Sequence, residues 1–145
     1  MHRAESILQS VETILTGLTT TGTNIQRGRV YPVEITPALS VYMGSDDTIG
    51  DYGATNVGFV DRVLEVIVRS HIKLTSTLDT DLNKIRAEVY AAMMADYTLG
   101  LSYVINAWLV SDAQPTLSAD SEQPTATQDM TYRVHYRHSY ASAES

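Results

Sequence analysis

Cysteine is absent from this chain of 145 residues. Its absence excludes a disulfide framework, a thiol nucleophile and zinc or iron–sulfur sites ligated by cysteine. Phenylalanine and tryptophan are scarce, at one each, whereas tyrosine occurs nine times. Because tyrosine joins an apolar ring to a hydroxyl that tolerates water, this bias favours a protein–protein surface. No apolar run approaches the ~20 residues of a membrane span, and the mixed polar start of the chain predicts no secretory signal.

Positive charge is also in short supply. Ten Lys and Arg stand against seventeen Asp and Glu, for a net charge of −7. We expect no coating of DNA, which needs clustered cations. Between Glu88 and Asp129 the chain has six carboxylates and no Lys or Arg, and Arg133 and Arg137 follow. This separation could support head-to-tail association of copies, although a solvated acidic surface that aids solubility is the commoner explanation.

Two segments have the periodicity of amphipathic helices. The first ends near Gly17, and the second has candidate caps at Asp79, Thr80 or Asp81 and a predicted end at Gly100. Their predicted buried stripes are Ile7, Val11, Ile14, Leu15 and Leu18 in the first helix, and Leu82, Ile85, Val89, Ala92 and Met93 in the second.

Alternating apolar residues predict strands over 30–31, 39–43, 60–74, 103–110 and 130–140. In the segment 60–74 the even positions are mostly apolar and should meet the helices. The odd positions, with Arg69, His71 and Lys73, form a mixed face that is either solvated or laid against another subunit. This strand exceeds the usual ~5–6 residues, which predicts a bulge or bend within it. In the closing strand the tyrosines should face the core or an interface, on the opposite side from Arg133, His135 and Arg137.

The connecting segments complete the predicted architecture. Glycines at 44, 50 and 53 and the lack of basic residues predict a flexible acidic loop over 44–56, and residues 111–127 read as a polar loop. The tail 141–145 should fray. The order α-β-β-loop-β-α-β-β predicts one domain over 1–145 of the α/β (α+β) class, with a mixed or antiparallel sheet and two helices packed on one face.

Motifs that carry chemistry are few. Asp46, Asp47 and Asp51 could offer oxygens to calcium, but they lack the spacing and the distal glutamate of a calcium loop. His135 and His138 resemble a metal pair, yet positions i and i+3 of a strand point to opposite faces. His71 has no nucleophile tied to it, and a basic ladder with Arg69 and Lys73 is the simpler interpretation. The sequence therefore predicts no catalytic residues, metal or cofactor.

Several local motifs follow one another along the chain in a recognisable order. They are Thr19-Thr20-Thr21-Gly22, Arg29-Val30-Tyr31-Pro32, Pro37-Ala38-Leu39-Ser40-Val41-Tyr42, the acidic loop 44–56, the strand 63–70, Leu78-Asp79-Thr80-Asp81-Leu82-Asn83-Lys84-Ile85, Thr98-Leu99-Gly100-Leu101 and Thr131-Tyr132-Arg133-Val134-His135-Tyr136-Arg137. With the order of the elements, these motifs resemble the tail terminator family of long-tailed bacteriophages, the proteins similar to the lambda minor tail protein U. The resemblance covers nearly the whole chain, and none of these motifs is catalytic.

The resemblance implies a structural role in the virion, at the junction of tail and neck, after assembly in the host cytoplasm. Such proteins form a hexameric ring on the last ring of the tail tube, stop its polymerisation and present a surface to the head or neck. Six copies would carry 6 × −7 = −42 formal charges, which would keep DNA passing through the lumen from sticking. The implied partners are other copies, the major tail tube protein and a head-completion or neck protein, with no membrane.

Ten residues are predicted to contact the tube, the neck or a neighbouring subunit: Asp46, Asp47, Asp51, Tyr52, Arg69, His71, Lys73, Arg133, His135 and Arg137. We expect Arg133 or Arg137 to pair with a carboxylate of a neighbouring subunit, since both follow the long acidic stretch. Two alternatives stay open. One is a head-completion or neck adaptor protein, and the other is a small cytosolic enzyme or ligand-binding domain that uses Asp46, Asp47 and Asp51.

Overall fold

A computed structural model describes residues 1–28, 36–49, 58–118, 124–139 and 141–144. Its elements are α1 (Arg3–Leu15), β1 (Ile25–Arg27), β2 (Ala38–Thr48), β3 (Phe59–Lys73), α2 (Leu78–Met94), β4 (Val104–Asp112), β5 (Thr116–Ser118) and β6 (Thr125–Ser139). The strands form one sheet in the order β1-β2-β3-β6-β4, and β5 pairs with β6. Because β1 runs parallel to β2 while the other pairs are antiparallel, the sheet is mixed, and the predicted α+β class is confirmed.

The core lies between the two helices and one face of the sheet. In β3 the even positions Leu64 to Ile72 are buried, as the alternation predicted. The helices contribute Ile7, Leu8, Val11 and Leu15 from α1, and Leu82, Ile85, Val89 and Met93 from α2. Among the described residues, the two largest fully buried side chains are Tyr132 and Tyr136 of β6. Of the two positions predicted for these tyrosines, the core and an interface, they occupy the core.

Strand β2 extends further than its sequence indicates. Residues 44–48, which were predicted as part of the acidic loop, belong to this strand, and Asp46, Asp47 and Thr48 pair with Leu64, Val63 and Arg62. The loop prediction is therefore wrong for these residues, because cross-strand pairing outweighs the weak strand preference of Gly and Asp. Residues 50–56 of that segment lie outside the described residues, as does the predicted strand 30–31.

Two short strands lie where the sequence predicted no strand. Strand β1 pairs in parallel with residues 39–41 of β2, and β5 pairs with residues 125–127 of β6. The second of these strands falls within the predicted polar loop 111–127, and β6 begins at Thr125. Each of these strands has three residues, which are too few for an alternating pattern to be recognised in the sequence. They form because a long neighbouring strand supplies their hydrogen bonds.

The prediction of a bulge within the long strand is wrong for β3, and the bulges of the sheet lie in other strands. Strands β3 and β6 pair without interruption over fifteen residues each. The irregularities lie in their neighbours, between Met43 and Asp46 in β2, and between Val104 and Asn106 and between Leu109 and Ser111 in β4. The two central strands thus form an uninterrupted ladder, and the bulges lie in the strands that flank them.

Helix α2 begins and ends differently from its prediction. Thr77 is the N-cap residue, and Asp79 and Asp81 lie in the first turn, where carboxylates suit the helix dipole. The helix ends at Met94, before the predicted stop at Gly100. Asp96 accepts hydrogen bonds from the backbone N–H and the hydroxyl of Thr98 at 2.9 and 2.7 Å, a local turn that competes with a further helical turn.

The chain termini meet beside α1. The backbone N–H of Arg3 donates to the Ala143 carbonyl at 3.0 Å, and the terminal amine of Met1 lies 3.1 Å from Glu144. Fraying of the tail stays a prediction. Neither described helix is long and apolar enough to cross a membrane.

Candidate functional site: the open face of the sheet

The face of the sheet that points away from α1 and α2 carries most of the predicted contact residues, and we call it the open face. It consists of the odd-numbered side chains of β3 and β6 with neighbours from β2 and β4. Because β3 and β6 are antiparallel and in register, each of these side chains lies directly opposite another. Three opposite pairs join unlike charges: Asp61 with Arg137, Glu65 with Arg133, and Arg69 with Asp129. We call these pairs the first, middle and third rungs.

The first rung is closed and partly buried. The Nε and Nη2 atoms of Arg137 donate to the two carboxylate oxygens of Asp61 at 2.6 and 3.2 Å, and His135 Nε2 lies 3.3 Å from Asp61 Oδ2. The hydrogen bond to Asp61, with the carboxylate charge, raises the pKa of Arg137. Arg137 therefore has a carboxylate partner in its own chain, and the prediction of a pair with a neighbouring subunit now rests on Arg133.

The third rung is closed as well. Arg69 donates through Nε and Nη2 to Asp129 at 2.7 and 3.1 Å, and the Tyr42 hydroxyl donates to Asp129 Oδ2 at 3.1 Å. The hydrogen bond to Asp129 raises the pKa of Arg69 and outweighs the opposing effect of burial. A bidentate arginine–carboxylate pair fixes direction as well as distance, so this rung holds β2, β3 and β6 in register.

His71 continues the open face toward the end of β3. Its Nε2 lies 2.9 Å from the hydroxyl of Ser40, which is buried. Burial lowers the pKa of His71, the charge of Arg69 lowers it further, and Asp129 opposes both. A neutral ring bonded to a buried hydroxyl is a structural contact, because no substrate can reach Ser40. Beyond it, Lys73 is exposed at the strand end.

The middle rung is open, in contrast to the other two. Arg133 is exposed and forms no ion pair with any residue that the structure describes. The side chain of its cross-strand partner Glu65 lies instead over Gly44 of β2. A Cβ atom added to Gly44 would be 2.8 Å from Glu65 Oε1 and 3.1 Å from Glu65 Cβ. Glycine at this position therefore gives Glu65 the room to lean away from Arg133.

A notch forms where this rung stands open. It has a volume of about 270 Å³ and is lined by Ser45, Asp47, Val63, Glu65, Trp108 and Arg133. Trp108 lies opposite Arg133 on β4, and it is the only tryptophan in the chain. The notch thus places a guanidinium, two carboxylates and an indole at the centre of the open face. This combination suits a protein partner with charged side chains.

The two neighbouring aspartates Asp46 and Asp47 point to opposite faces of the sheet. Asp47 lies on the open face at the notch, whereas Asp46 lies on the helix side. There Asp46 Oδ2 accepts hydrogen bonds from the Tyr136 hydroxyl at 2.7 Å and from Arg62 Nη1 at 3.3 Å. Burial, and then the Asp46 carboxylate, raise the pKa of Tyr136. The alternative in which Asp46 and Asp47 serve one ion or one substrate together therefore finds no support in this geometry, while Asp51 and Tyr52 lie outside the described residues.

No metal site emerges from the described ranges. They contain no group of three or more His, Asp or Glu side chains placed to hold an ion. His135 faces Asp61 on the open face and His138 is buried on the other side, so the alternation argument that separated the two histidines is confirmed.

Four residues of this face were missed by sequence reasoning: Asp61, Glu65, Asp129 and Trp108. The alternation of β3 already places Asp61 and Glu65 beside Arg69 and His71. Nothing in the sequence shows that β3 pairs with β6, with Asp61 opposite Arg137 and Arg69 opposite Asp129. That pairing joins segments about sixty residues or more apart, and it turns isolated charges into rungs.

Comparison with known proteins adds a likeness of fold. No protein-family model matches the chain, and no curated protein matches it in sequence. Among solved structures, the chain is similar to one from the virion of a native gene transfer agent particle, with a TM-score of 0.57 and 12% sequence identity. The likeness covers 91% of this chain and 92% of the other, so the two share one fold from end to end.

Proposed function

We propose that this protein is a structural component of a phage-like virion. The observation that carries the proposal is the end-to-end likeness of fold to a virion chain, with over nine-tenths of each chain covered. Two chains that match over nearly their whole lengths share one architecture. A match that came only from a common substructure would leave much of at least one chain uncovered. Fold alone does not assign function, and the second support is therefore the open face itself.

Within the virion, the proposed role is that of a tail terminator. Six copies form a ring that caps the tail tube, stops its polymerisation and provides the surface that joins the head or neck. The open face suits this role because two closed rungs keep it rigid while the middle rung leaves Arg133, Glu65 and Asp47 available. Rigid elements with a few unpaired charges at their centre give a contact its direction and its partner specificity.

The ten predicted contact residues now divide into groups. Arg133 and Asp47 are the proposed contacts to the tube or neck, with Lys73 at the margin of the same face. Arg69, His71, His135 and Arg137 support the face through partners within the chain, and Asp46 braces β2 from the helix side. The roles proposed for Asp51 and Tyr52 as contact residues remain predictions. The negative charge of the ring would keep DNA moving through the lumen without specific binding.

A head-completion or neck adaptor protein is the nearer alternative, since a virion chain of this fold could occupy either place. An enzyme that uses Asp46, Asp47 and Asp51 has no support in the described residues, because the first two carboxylates are separated by the sheet.

The experiment that tests the role is removal of the gene in the genome that encodes it. A terminator predicts over-long or headless tails, seen by electron microscopy, and rescue by the gene supplied in trans. A neck adaptor predicts tails of normal length that fail to join filled heads. Normal, infectious or transfer-competent particles would refute the virion role altogether.

A further inference from the structure

Exposed apolar side chains concentrate along one edge of the molecule. Among the described residues, eight large apolar side chains are exposed, and five of them belong to the segment from α2 to β5: Tyr90, Tyr97, Ile105, Val110 and Leu117. Met43 lies at the other edge of the sheet, on β2, and Met1 precedes the helix that packs there. Phe59 lies on the open face beneath Arg137. The two edges therefore carry unlike apolar surfaces.

Two of these exposed side chains lie at the bulges of β4. At each of its two irregularities β4 has one residue more than β6, and the extra residues are Ile105 and Val110, 40% and 41% exposed. A bulge leaves its extra residue outside the ladder and bends the strand. Such a bent edge is a poor template for another strand. The edge of β4 therefore presents branched side chains for packing.

Helix α2 extends this surface. Tyr90, Leu109 and Tyr132 line a groove between α2 and β4, and its charged residues Arg86 and Asp112 are already paired at 2.6 Å. We call Tyr90, Ile105, Val110 and Leu117 the β4 flank. It combines projecting apolar groups with few unpaired charges, the composition of the centre of an interface.

A groove lies at the opposite edge. Among the described residues, β1 pairs with residues 39–41 of β2, and a space of about 520 Å³ lies next to it between α1 and β2. Leu8, Val41 and Met43 form its apolar lining, and the paired Glu5 and Arg27 stand at its rim, 3.2 Å apart. We call this the β2 groove.

We propose that the β4 flank of one copy packs into the β2 groove of the next copy. A symmetric dimer would bury one kind of edge and leave the other exposed, whereas head-to-tail contact buries both, and it closes into a ring if the rotation allows. The inference rests on the proposed function and gives the ring its subunit contact. It leaves the open face free for the tube or the neck.

The dimensions of the flank indicate a weak contact for each pair. The nine residues of β4 span roughly 30 Å, and a sheet with one helix layer is about 20 Å deep, which gives roughly 600 Å² for each partner. Stable interfaces bury about 800 Å² for each partner. Free copies should therefore be largely monomeric, and the ring should form at high local concentration or on a template.

Because the chain lacks cysteine, introduced thiols give a direct test. Val110→Cys and Met43→Cys are combined in one full-length chain, which is treated at roughly 1 mM with a bismaleimide. Within one copy, positions 110 and 43 lie on strands that are three intervals apart in the sheet, at least about 14 Å. A bismaleimide with a spacer shorter than this distance cannot join the two thiols of the same copy. Head-to-tail contact predicts a ladder of covalent dimers, trimers and higher species. Each single variant should stop at a weak dimer.

The matched control pairs Met43→Cys with Ser76→Cys, an exposed residue of similar size in the turn before α2. A Val110/Met43 ladder no stronger than this control overturns the inference, as does a Val110→Cys single variant that dimerises as fast as the double variant. Adding Tyr90→Asp to the double variant should weaken the ladder at least about tenfold at an unchanged unfolding midpoint. If the double variant forms no ladder but removal of the gene gives over-long tails, the contact between the β4 flank and the β2 groove is refuted and the terminator role stands. If the ladder forms but removal of the gene leaves tails of normal length, the terminator role is refuted and the contact stands.

Discussion

The aspartates at positions 46 and 47 offer a matched pair for testing the structure, because adjacent residues of the same type point to opposite faces of β2. Asp46→Ala removes the acceptor of the Tyr136 hydroxyl, 2.7 Å away, and of Arg62, 3.3 Å away. Tyr136 is fully buried, so its hydroxyl has no water to turn to. Asp47→Ala removes an exposed carboxylate at the notch.

The magnitude follows from these contacts. Hydrogen bonds to a charged group contribute about 1.5–3 kcal/mol, and a buried donor left without a partner costs about 1–3 kcal/mol. Arg62 is partly exposed and can be hydrated again, so the Tyr136 hydroxyl dominates. We expect Asp46→Ala to lower the free energy of unfolding by about 2–3 kcal/mol, and Asp47→Ala to change it by less than about 0.5 kcal/mol.

The assay is thermal and urea unfolding at neutral pH. For 145 residues, an unfolding entropy of about 2.1 cal/mol/K for each residue converts 1 kcal/mol into roughly 3 °C, so Asp46→Ala should lose about 7–10 °C. The double variant Asp46→Ala/Tyr136→Phe should recover part of the loss, because it removes the stranded hydroxyl. Equal, small effects of Asp46→Ala and Asp47→Ala would place both residues in a solvated loop and refute the extension of β2.

Two further predictions concern the open face. Arg133→Glu should leave the free energy of unfolding within about 0.5 kcal/mol of wild type yet slow the joining of heads to tails. Arg69→Glu should destabilise the fold, because it places a second carboxylate directly opposite Asp129. Normal joining with Arg133→Glu would remove that residue from the contact surface. The fold lowers the pKa of His71 from 6.5, so just below pH 6.5 the unfolded chain binds more protons than the folded chain. The stability that His71 contributes is therefore complete above pH 6.5 and is lost as the pH falls from 6.5 through the lowered pKa. His71→Gln should therefore lessen the fall in unfolding midpoint between about pH 7.5 and about pH 5.5, and an identical fall in both proteins would show that His71 titrates as it does in the unfolded chain.

The sequence by itself determined the elements whose periodicity is long enough to be read. Helix α1, the buried stripe of α2 and the alternation of β3 and β6 follow from local spacing, because burial of one face imposes a period of 3.6 or 2 on the apolar residues. From these elements came the α+β class and the placing of Tyr132 and Tyr136 on the face opposite the arginines of β6, whereas the structure decided that this face is the core. The mixed character of the open face was also visible, since the odd positions of β3 alternate with apolar ones.

Only the tertiary structure decided which charges meet. Asp61 and Arg137 are 76 positions apart, and Arg69 and Asp129 are 60 positions apart, so their pairing depends on the placing of β6 between β3 and β4. The same placing set Arg133 opposite Trp108, with no ion pair to any carboxylate that the structure describes. It also made strands of β1, β5 and residues 44–48, because a long neighbouring strand supplies the hydrogen bonds that short or Gly- and Asp-containing segments cannot earn from propensity alone. Local spacing is set by neighbours in the chain, whereas these contacts are set by strand order, which no window of the sequence contains.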